Sequence, residues 1–262
     1  MHPGQQKTAP HLPGISAVLA TSAGPPELDG AVLELAAVLD GLVYANFEIT
    51  VVDTTASPRV ADTLTELRLR CPTLPVRLQE GKHIGQDAAL VAAFDAAAYD
   101  LILVTGTTGE FDVRETNHLL EALERGADLA IGYRPRRADG RVRRLYGWGW
   151  NVLVRLMFGK TARDVDCPFK LFRVGVWQGV HVRPHEASPT FNTELLVRAR
   201  RLGFRVAEVP VSHHRLPAGT HRAARPTEIR RALLELGQLH HSLQRECGQS
   251  TNLSLPTGRQ AA

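Results

Sequence analysis

The chain has 262 residues, of which 44% are hydrophobic and 22% charged, and its formal net charge is +4. This composition is typical of a globular protein with a sizeable core, and it excludes general disorder and fibrous repeats. No apolar run approaches the roughly 20 residues of a membrane-spanning helix, and the first twelve residues lack the apolar core of a secretory signal. Three widely separated cysteines argue against a disulfide framework or a zinc site and favour a cytoplasmic protein.

The charge is distributed unevenly along the chain. Residues 1–132 carry 8 basic and 18 acidic side chains, whereas residues 133–173 carry 11 basic and 3 acidic ones. The basic segment predicts contact with an anionic partner, such as a phosphorylated substrate, a membrane surface or a nucleic acid. The alternative is a solvated, arginine-rich surface.

Short apolar runs alternate with amphipathic stretches in the first half of the chain. The runs predict buried strands at residues 15–19, 47–52, 76–78, 101–104 and 129–131. Between them, residues 32–42 have helical periodicity, Ser57 before Pro58 indicates a helix start, and Asp112 with Glu115 resembles a capping box.

Strands that alternate with helices predict an α/β fold with a doubly wound, mainly parallel sheet and helices on both faces. Ligands bind such sheets at the carboxyl ends of the strands. The loops that begin at residues 20, 53 and 105 are therefore the predicted place for chemistry.

The second half of the chain differs from the first in composition and pattern. An arginine-rich loop at residues 134–144 leads into an apolar stretch that contains Trp148 and Trp150. These tryptophans predict either a helix at a membrane interface or a helix packed on the sheet. The next predicted elements are a helix at 192–201, a strand at 205–211 and a helix at 226–243, with disordered tails at 1–12 and 246–262.

Four segments of the second half occur in a recognisable order. They are residues 129–134 (Leu-Ala-Ile-Gly-Tyr-Arg), 164–173 (Asp-Val-Asp-Cys-Pro-Phe-Lys-Leu-Phe-Arg), 193–211, and the tract 215–226. With these segments the chain resembles family 2 glycosyltransferases of the dolichol- or polyprenyl-phosphate sugar synthase type, over roughly residues 14–240. The resemblance implies a GT-A fold in a single domain at 13–245, with a nucleotide-binding half at 13–132 and an acceptor half at 133–245.

The resemblance also implies which residues bind the substrates. The donor nucleotide would lie against Asp53, Gly85 and Thr108. The acceptor phosphate would be bound by basic residues of the second half, namely Arg134, Arg143, Arg144 and Lys170, since arginine suits bidentate phosphate contacts.

The metal motif departs from the family pattern. The Asp-x-Asp that follows the fourth strand in the family is replaced by Gly106, Thr107 and Thr108, and Glu110 stands where the family has glutamine. Threonine hydroxyls cannot replace two carboxylates as ligands of a hard cation. Glu110 is a candidate metal ligand if substrate phosphates help, and a solvated acid beside a helix start is the alternative.

Two functions therefore remain open. The first is sugar transfer from a nucleotide sugar to a polyprenyl-phosphate-type acceptor, with Mg²⁺ or Mn²⁺ as cofactor or with none. The second is a catalytically inactive homologue that binds nucleotide, lipid phosphate or a protein, and another α/β enzyme such as a nucleotidyltransferase is a distant third. We expect peripheral contact with an anionic membrane at its inner face, and no nucleic-acid partner.

Overall fold

The computed structural model describes residues 12–21, 25–42, 46–53, 58–81, 86–138, 140–180, 182, 190–214 and 226–252. Seven strands within these ranges form one sheet. They are β1 (Leu12–Thr21), β2 (Phe47–Asp53), β3 (Val76–Glu80), β4 (Tyr99–Gly106), β5 (Leu129–Tyr133), β6 (Lys170–Arg173) and β7 (Val206–Pro210).

Helices connect these strands across both faces of the sheet. They are α1 (Pro25–Asp40), α2 (Pro58–Arg70), α3 (Gln86–Asp95), α4 (Thr116–Glu124), α5 (Arg141–Phe158), α6 (Val174–Val180), α7 (Phe191–Arg201) and α8 (Pro226–Asn252), with a 3-10 turn at Val113–Glu115. Among the residues that the structure describes, no helix combines the length and hydropathy needed to cross a membrane.

The strand order is β3-β2-β1-β4-β6-β5-β7, and β6 is the one strand in it that runs antiparallel to its neighbours. The other six strands run in the same direction, so their carboxyl ends meet at one edge of the sheet. Because β6 is reversed, its first residue, Lys170, lies at that same edge, opposite Val104 and Ile131. We call this the carboxyl edge.

The predicted α/β fold is confirmed, and the six predicted strands are all present. Most of them extend beyond their apolar runs because hydrogen bonding between strands continues into the flanking polar residues. The sequence did not predict β6, a four-residue strand inside the segment 164–173. Helix α8 continues to Asn252, past residue 243 where the apolar periodicity ends, because no proline interrupts it.

The predicted helix starts are found only in part. Asp112 caps the 3-10 turn by accepting a hydrogen bond from the backbone N–H of Arg114 at 3.0 Å. The carboxylate of Glu115 does not complete a capping box, since it binds Ser212 instead. Ser57 and most residues of the two predicted tails lie outside the described ranges.

Candidate active site at the carboxyl edge of the sheet

The ends of β1, β2 and β4 form the donor side of the carboxyl edge. Thr21 and Asp53 are paired in the register of β1 and β2, and both side chains are buried. Directly after β4, Thr107 is also buried, and its hydroxyl lies 3.1 Å from the hydroxyl of Thr21. Thr108 is half-buried beside them. The structure thus brings Asp53 and Thr108 to the same edge, since Asp53 ends β2 and Thr108 follows β4, the two strands that flank β1. Gly85 lies outside the described residues.

A buried ion pair lies at the carboxyl edge where β5 ends. Arg134 donates from Nε to Asp164 Oδ2 at 2.6 Å and from Nη2 to Asp164 Oδ1 at 2.8 Å. Burial opposes both charges, but the hydrogen bonds between the two groups outweigh it. The pKa of Asp164 is therefore lowered and the pKa of Arg134 is raised from their ordinary values. The pair therefore stays ionised, and it links two segments that are thirty positions apart.

Glu110 continues this charge network towards the loop after β7. Its Oε1 lies 2.6 Å from Nε2 of His213 and 3.7 Å from Nη1 of Arg134. Nδ1 of the same imidazole accepts a hydrogen bond from the backbone N–H of Ala138 at 2.9 Å. Because Nδ1 is an acceptor, the imidazole proton belongs on Nε2, which donates it to Glu110. Glu110 is thus mostly buried and ion-paired, unlike the solvated acid that the sequence offered as an alternative.

The loop after β7 is tied to the β4–α4 loop at further points. Ser212 binds Glu115 through its backbone N–H at 2.8 Å and through its hydroxyl at 2.7 Å. The backbone N–H of His214 donates to the carbonyl of Glu110 at 2.9 Å. Residues 211–214, which we call the β7 clasp, therefore connect the donor side of the edge with the segment that follows β5.

Lys170 is fully buried at the start of β6. Its Nζ donates to the carbonyl of Cys167 at 2.5 Å and to Oδ1 of Asn192 at 2.8 Å. Burial lowers the pKa of Lys170 to about 8. Burial, together with the nearby charge of Asp164, raises the pKa of Asp166 to about 6. The edge therefore contains an acid and an amine that both titrate near neutrality.

The predicted acceptor residues do not all lie together. Arg134 and Lys170 are inside the edge, where both are engaged by protein groups. Arg144 is exposed on α5, and the side chain of Arg143 lies outside the described part of the chain. Their phosphate-binding roles stay predictions.

Sequence reasoning missed Asp164 and His213 as members of the site. Asp164 opens the segment 164–173, but its partner cannot be identified without the fold. His213 was noted only as one of two adjacent histidines with poor geometry for a metal. Its position three residues after a strand could have indicated the site, because strand ends meet at the carboxyl edge.

The residues at the end of β4 do not fit a divalent cation. Gly106 has no side chain, and the hydroxyl of Thr107 is engaged with Thr21. The carboxylate of Glu110 is already contacted by His213 and faces the guanidinium of Arg134, which would repel a second cation. Within the described ranges, no group of three His, Cys, Asp or Glu side chains could hold a metal ion.

Comparisons with known proteins place the chain in a family. The model of glycosyl transferase family 2 matches residues 26–187, which is more than half of the chain. Glycosyltransferase AglD of Haloferax volcanii is 36% identical over 134 residues, covering 49% of this chain and 22% of the relative. Undecaprenyl-phosphate 4-deoxy-4-formamido-L-arabinose transferase of Edwardsiella ictaluri is 28% identical over 167 residues, covering 64% of this chain and 50% of the relative.

A third relative is covered more fully. Polyprenol monophosphomannose synthase of Mycolicibacterium smegmatis is 27% identical over 205 residues, covering 72% of this chain and 75% of the relative. The chain thus spans half or less of the first two relatives, and three quarters of this one.

Solved structures agree on the fold. Glucosyl-3-phosphoglycerate synthase from Mycobacterium tuberculosis has a TM-score of 0.63 at 18% identity, covering 87% of this chain and 80% of that one. That synthase has also been crystallised with Mn²⁺ and UDP-glucose. Mannosyl-3-phosphoglycerate synthase from Rubrobacter xylanophilus has a TM-score of 0.61 at 14% identity, covering 95% and 78%. The chain belongs to glycosyl transferase family 2 and has the GT-A fold.

Proposed function

We propose that this chain transfers a sugar from a nucleotide-sugar donor to a polyprenyl-phosphate-type acceptor. One observation carries the proposal. The segments 129–134 and 164–173, which carry the resemblance to polyprenyl-phosphate sugar synthases, meet through Arg134 and Asp164 at the carboxyl edge. Asp53 at the end of β2 and Thr108 just after β4 lie on either side of β1 at the same edge, so donor and acceptor groups would meet there. The names of the relatives from Edwardsiella ictaluri and Mycolicibacterium smegmatis support this acceptor class.

The transfer reaction does not need a general base. A phosphate acceptor is already ionised at neutral pH, so its oxygen can attack the anomeric carbon without losing a proton. The chain would then have to bind both substrates, align them and stabilise the charge that develops on the departing nucleoside diphosphate. Asp53 would accept hydrogen bonds from the base or the ribose.

Arg134 and Lys170 can contribute to phosphate binding while keeping their internal partners. Asp164 engages Nε and Nη2 of Arg134, which leaves Nη1 directed towards Glu110. Described residues account for two of the three N–H donors of Lys170. A phosphate at the edge would therefore add to the network without replacing Asp164 or Asn192.

We further propose that the donor pyrophosphate is bound without a divalent cation. The support is the set of contacts that engages Glu110 and Thr107, together with the missing side chain at Gly106. Backbone N–H groups of the β4–α4 loop and the basic side chains of the edge would take over the neutralisation of its charge.

A binding module without catalysis is the second candidate, and the lost aspartates favour it. The deciding experiment incubates the full chain with labelled UDP- and GDP-sugars and a short, water-soluble polyprenyl phosphate, with EDTA or with Mn²⁺. We expect a glycosylated lipid phosphate in EDTA, and a large loss of product in Asp53→Asn. Nucleotide binding by calorimetry without any product would establish a nucleotide-binding module, and the absence of both would contradict sugar transfer from these donors as well as nucleotide binding.

A further inference from the structure

Helix α5 has an apolar face on each side. Val154 is fully buried, and Trp150 and Met157 pack against the core beside it. Five other hydrophobic side chains of α5 are exposed, and all but Tyr146 share one face, namely Leu145 (66%), Trp148 (65%), Val152 (37%) and Leu156 (79%). Their spacings of three, four and four residues place them within about 80° of arc, at roughly 100° per residue. We call these four residues the α5 stripe.

The surroundings of the α5 stripe are basic. Helix α5 contains four arginines and no acidic residue, and residues 133–163 contain nine basic residues and one acidic residue. Helical spacing places the exposed Arg144 and Arg155 on the same border of the stripe, about three turns apart. A contiguous apolar stripe with a tryptophan and a basic border is typical of helices that lie in a lipid headgroup layer.

Contacts from its inner side fix α5 to the candidate active site. The side chain of Arg137 fills the space that a Cβ at Gly147 would occupy. Asn151 accepts a hydrogen bond from the backbone N–H of Val165 at 3.1 Å, in the segment that carries Asp164. Whatever binds the α5 stripe is therefore held in a set orientation to the carboxyl edge.

We propose that the α5 stripe docks on an anionic lipid surface, with Leu145, Trp148, Val152 and Leu156 inserted among the headgroups. Charge complementarity selects this occupant, since a second copy would bring the same excess of arginines against the first. A nucleic acid would match the arginines but not the apolar stripe. The proposal rests on the proposed function in one respect, because docking would bring the carboxyl edge close to a membrane-embedded acceptor.

Flotation of the full chain with vesicles tests the proposal. The vesicles are phosphatidylcholine with or without phosphatidylglycerol. We expect recovery with the anionic vesicles only, and a decrease in recovery as salt is raised. Trp148→Ser and Leu156→Ser should each weaken partitioning about tenfold, because each removes a large apolar side chain from the buried contact. Arg155→Gln should weaken it less, and only at low salt.

Matched controls distinguish binding through the α5 stripe from non-specific adsorption to vesicles. Leu69 on α2 is 77% exposed, nearly the same as Leu156, so Leu69→Ser should float like the unaltered protein. Arg59→Gln on the same helix is the charge control. Equal recovery with neutral vesicles, or normal flotation of Trp148→Ser and Leu156→Ser, would overturn the proposal. So would a dimer that these two variants dissociate, since the stripe would then join two copies.

Transfer activity is scored separately with the water-soluble acceptor. If the proposed function is right and the docking proposal is wrong, product forms but substitutions in the α5 stripe do not change the recovery with vesicles. If the docking is right and the function is wrong, flotation depends on the stripe but no product forms. When both hold, Leu156→Ser keeps its activity on the soluble acceptor and loses it on an acceptor embedded in anionic vesicles.

Discussion

Arg134 and Asp164 illustrate why an ion pair inside a protein has to be kept complete. Water is excluded from both groups, so each charge depends on the other for its hydrogen bonds. The sequence indicated that Arg134 is functional, because it ends a strand with the family pattern. Nothing in the sequence indicated that Asp164 would engage it, since that contact depends on how β5 and β6 pair.

The first prediction concerns this pair. Asp164→Asn should lower the free energy of unfolding by about 3 kcal/mol, because it leaves a buried guanidinium without its counter-charge. Urea denaturation measures the change. Glu121→Gln is the control, since it removes an ion pair whose side chains are largely exposed, and it should have little effect. A small change in Asp164→Asn would mean that Glu110 compensates for the lost carboxylate.

The second prediction follows from the raised pKa of Asp166. Its folded-state pKa of about 6 exceeds the ordinary 3.8, so the folded protein binds this proton more tightly than the unfolded chain does. The contribution of this group to stability therefore falls as pH rises from 3.8 through about 6.

Asp166→Asn removes this titration. Relative to the variant, the unaltered protein should lose stability between these pH values, as measured by urea denaturation across the range. Parallel stability curves for the two proteins would show that Asp166 titrates normally.

At the scale of elements, the β7 clasp was the least predictable part of the site. It has no regular secondary structure, and its contacts are to loops that are distant in the chain. Strands β1 to β5 and β7 could be predicted because each is a short apolar run between turn residues. Strand β6 was missed because its four residues fall inside the segment 164–173, which was interpreted as a motif and not as a strand.

The third prediction tests the β7 clasp. His213→Phe removes the acceptor of the Ala138 backbone N–H, so hydrogen exchange at Ala138 should accelerate about tenfold or more, as its local opening becomes easier. Amide-resolved exchange by NMR measures this. The neighbouring His214→Phe is the matched control, because His214 contributes only its backbone to the clasp contacts described here. Equal protection of Ala138 in both variants would contradict the tautomer assigned to His213.

The fourth prediction concerns the loop after β4. The unaltered protein should not bind Mn²⁺. Adding the protein should therefore not decrease the electron paramagnetic resonance signal of free Mn²⁺, whether UDP is present or absent. Gly106→Asp with Thr108→Asp should create Mn²⁺ uptake. A Cβ at Gly106 would have its nearest neighbour, the carbonyl of Ala20, at 3.8 Å, so the backbone accepts the side chain.

The opposite outcome has a defined meaning. If the unaltered protein takes up Mn²⁺ and Glu110→Gln abolishes the uptake, then Glu110 is the metal ligand that the sequence proposed. The contacts of Glu110 with His213 and Arg134 would in that case have to open when the ion binds.

At the scale of the whole molecule, the structure shows where the basic residues of the uneven charge distribution lie. The basic segment 133–173 supplies both the buried network of the carboxyl edge and the exposed border of the α5 stripe. Composition alone could not separate these two uses of arginine. The two tryptophans illustrate the same point. Trp150 is packed against the core, as the alternative of a helix on the sheet expects, whereas Trp148 is exposed and its place at a membrane interface stays a prediction.

Strand β6 lies between β4 and β5 although it follows both in the chain. During synthesis, β4 therefore keeps one bare edge until residues 170–173 emerge, and β5 has no neighbour before then. A bare strand edge can pair with other chains and nucleate aggregates. A product of premature termination before Lys170 would carry this hazard permanently, and the nascent protein carries it for as long as the ribosome needs to translate from β4 to β6.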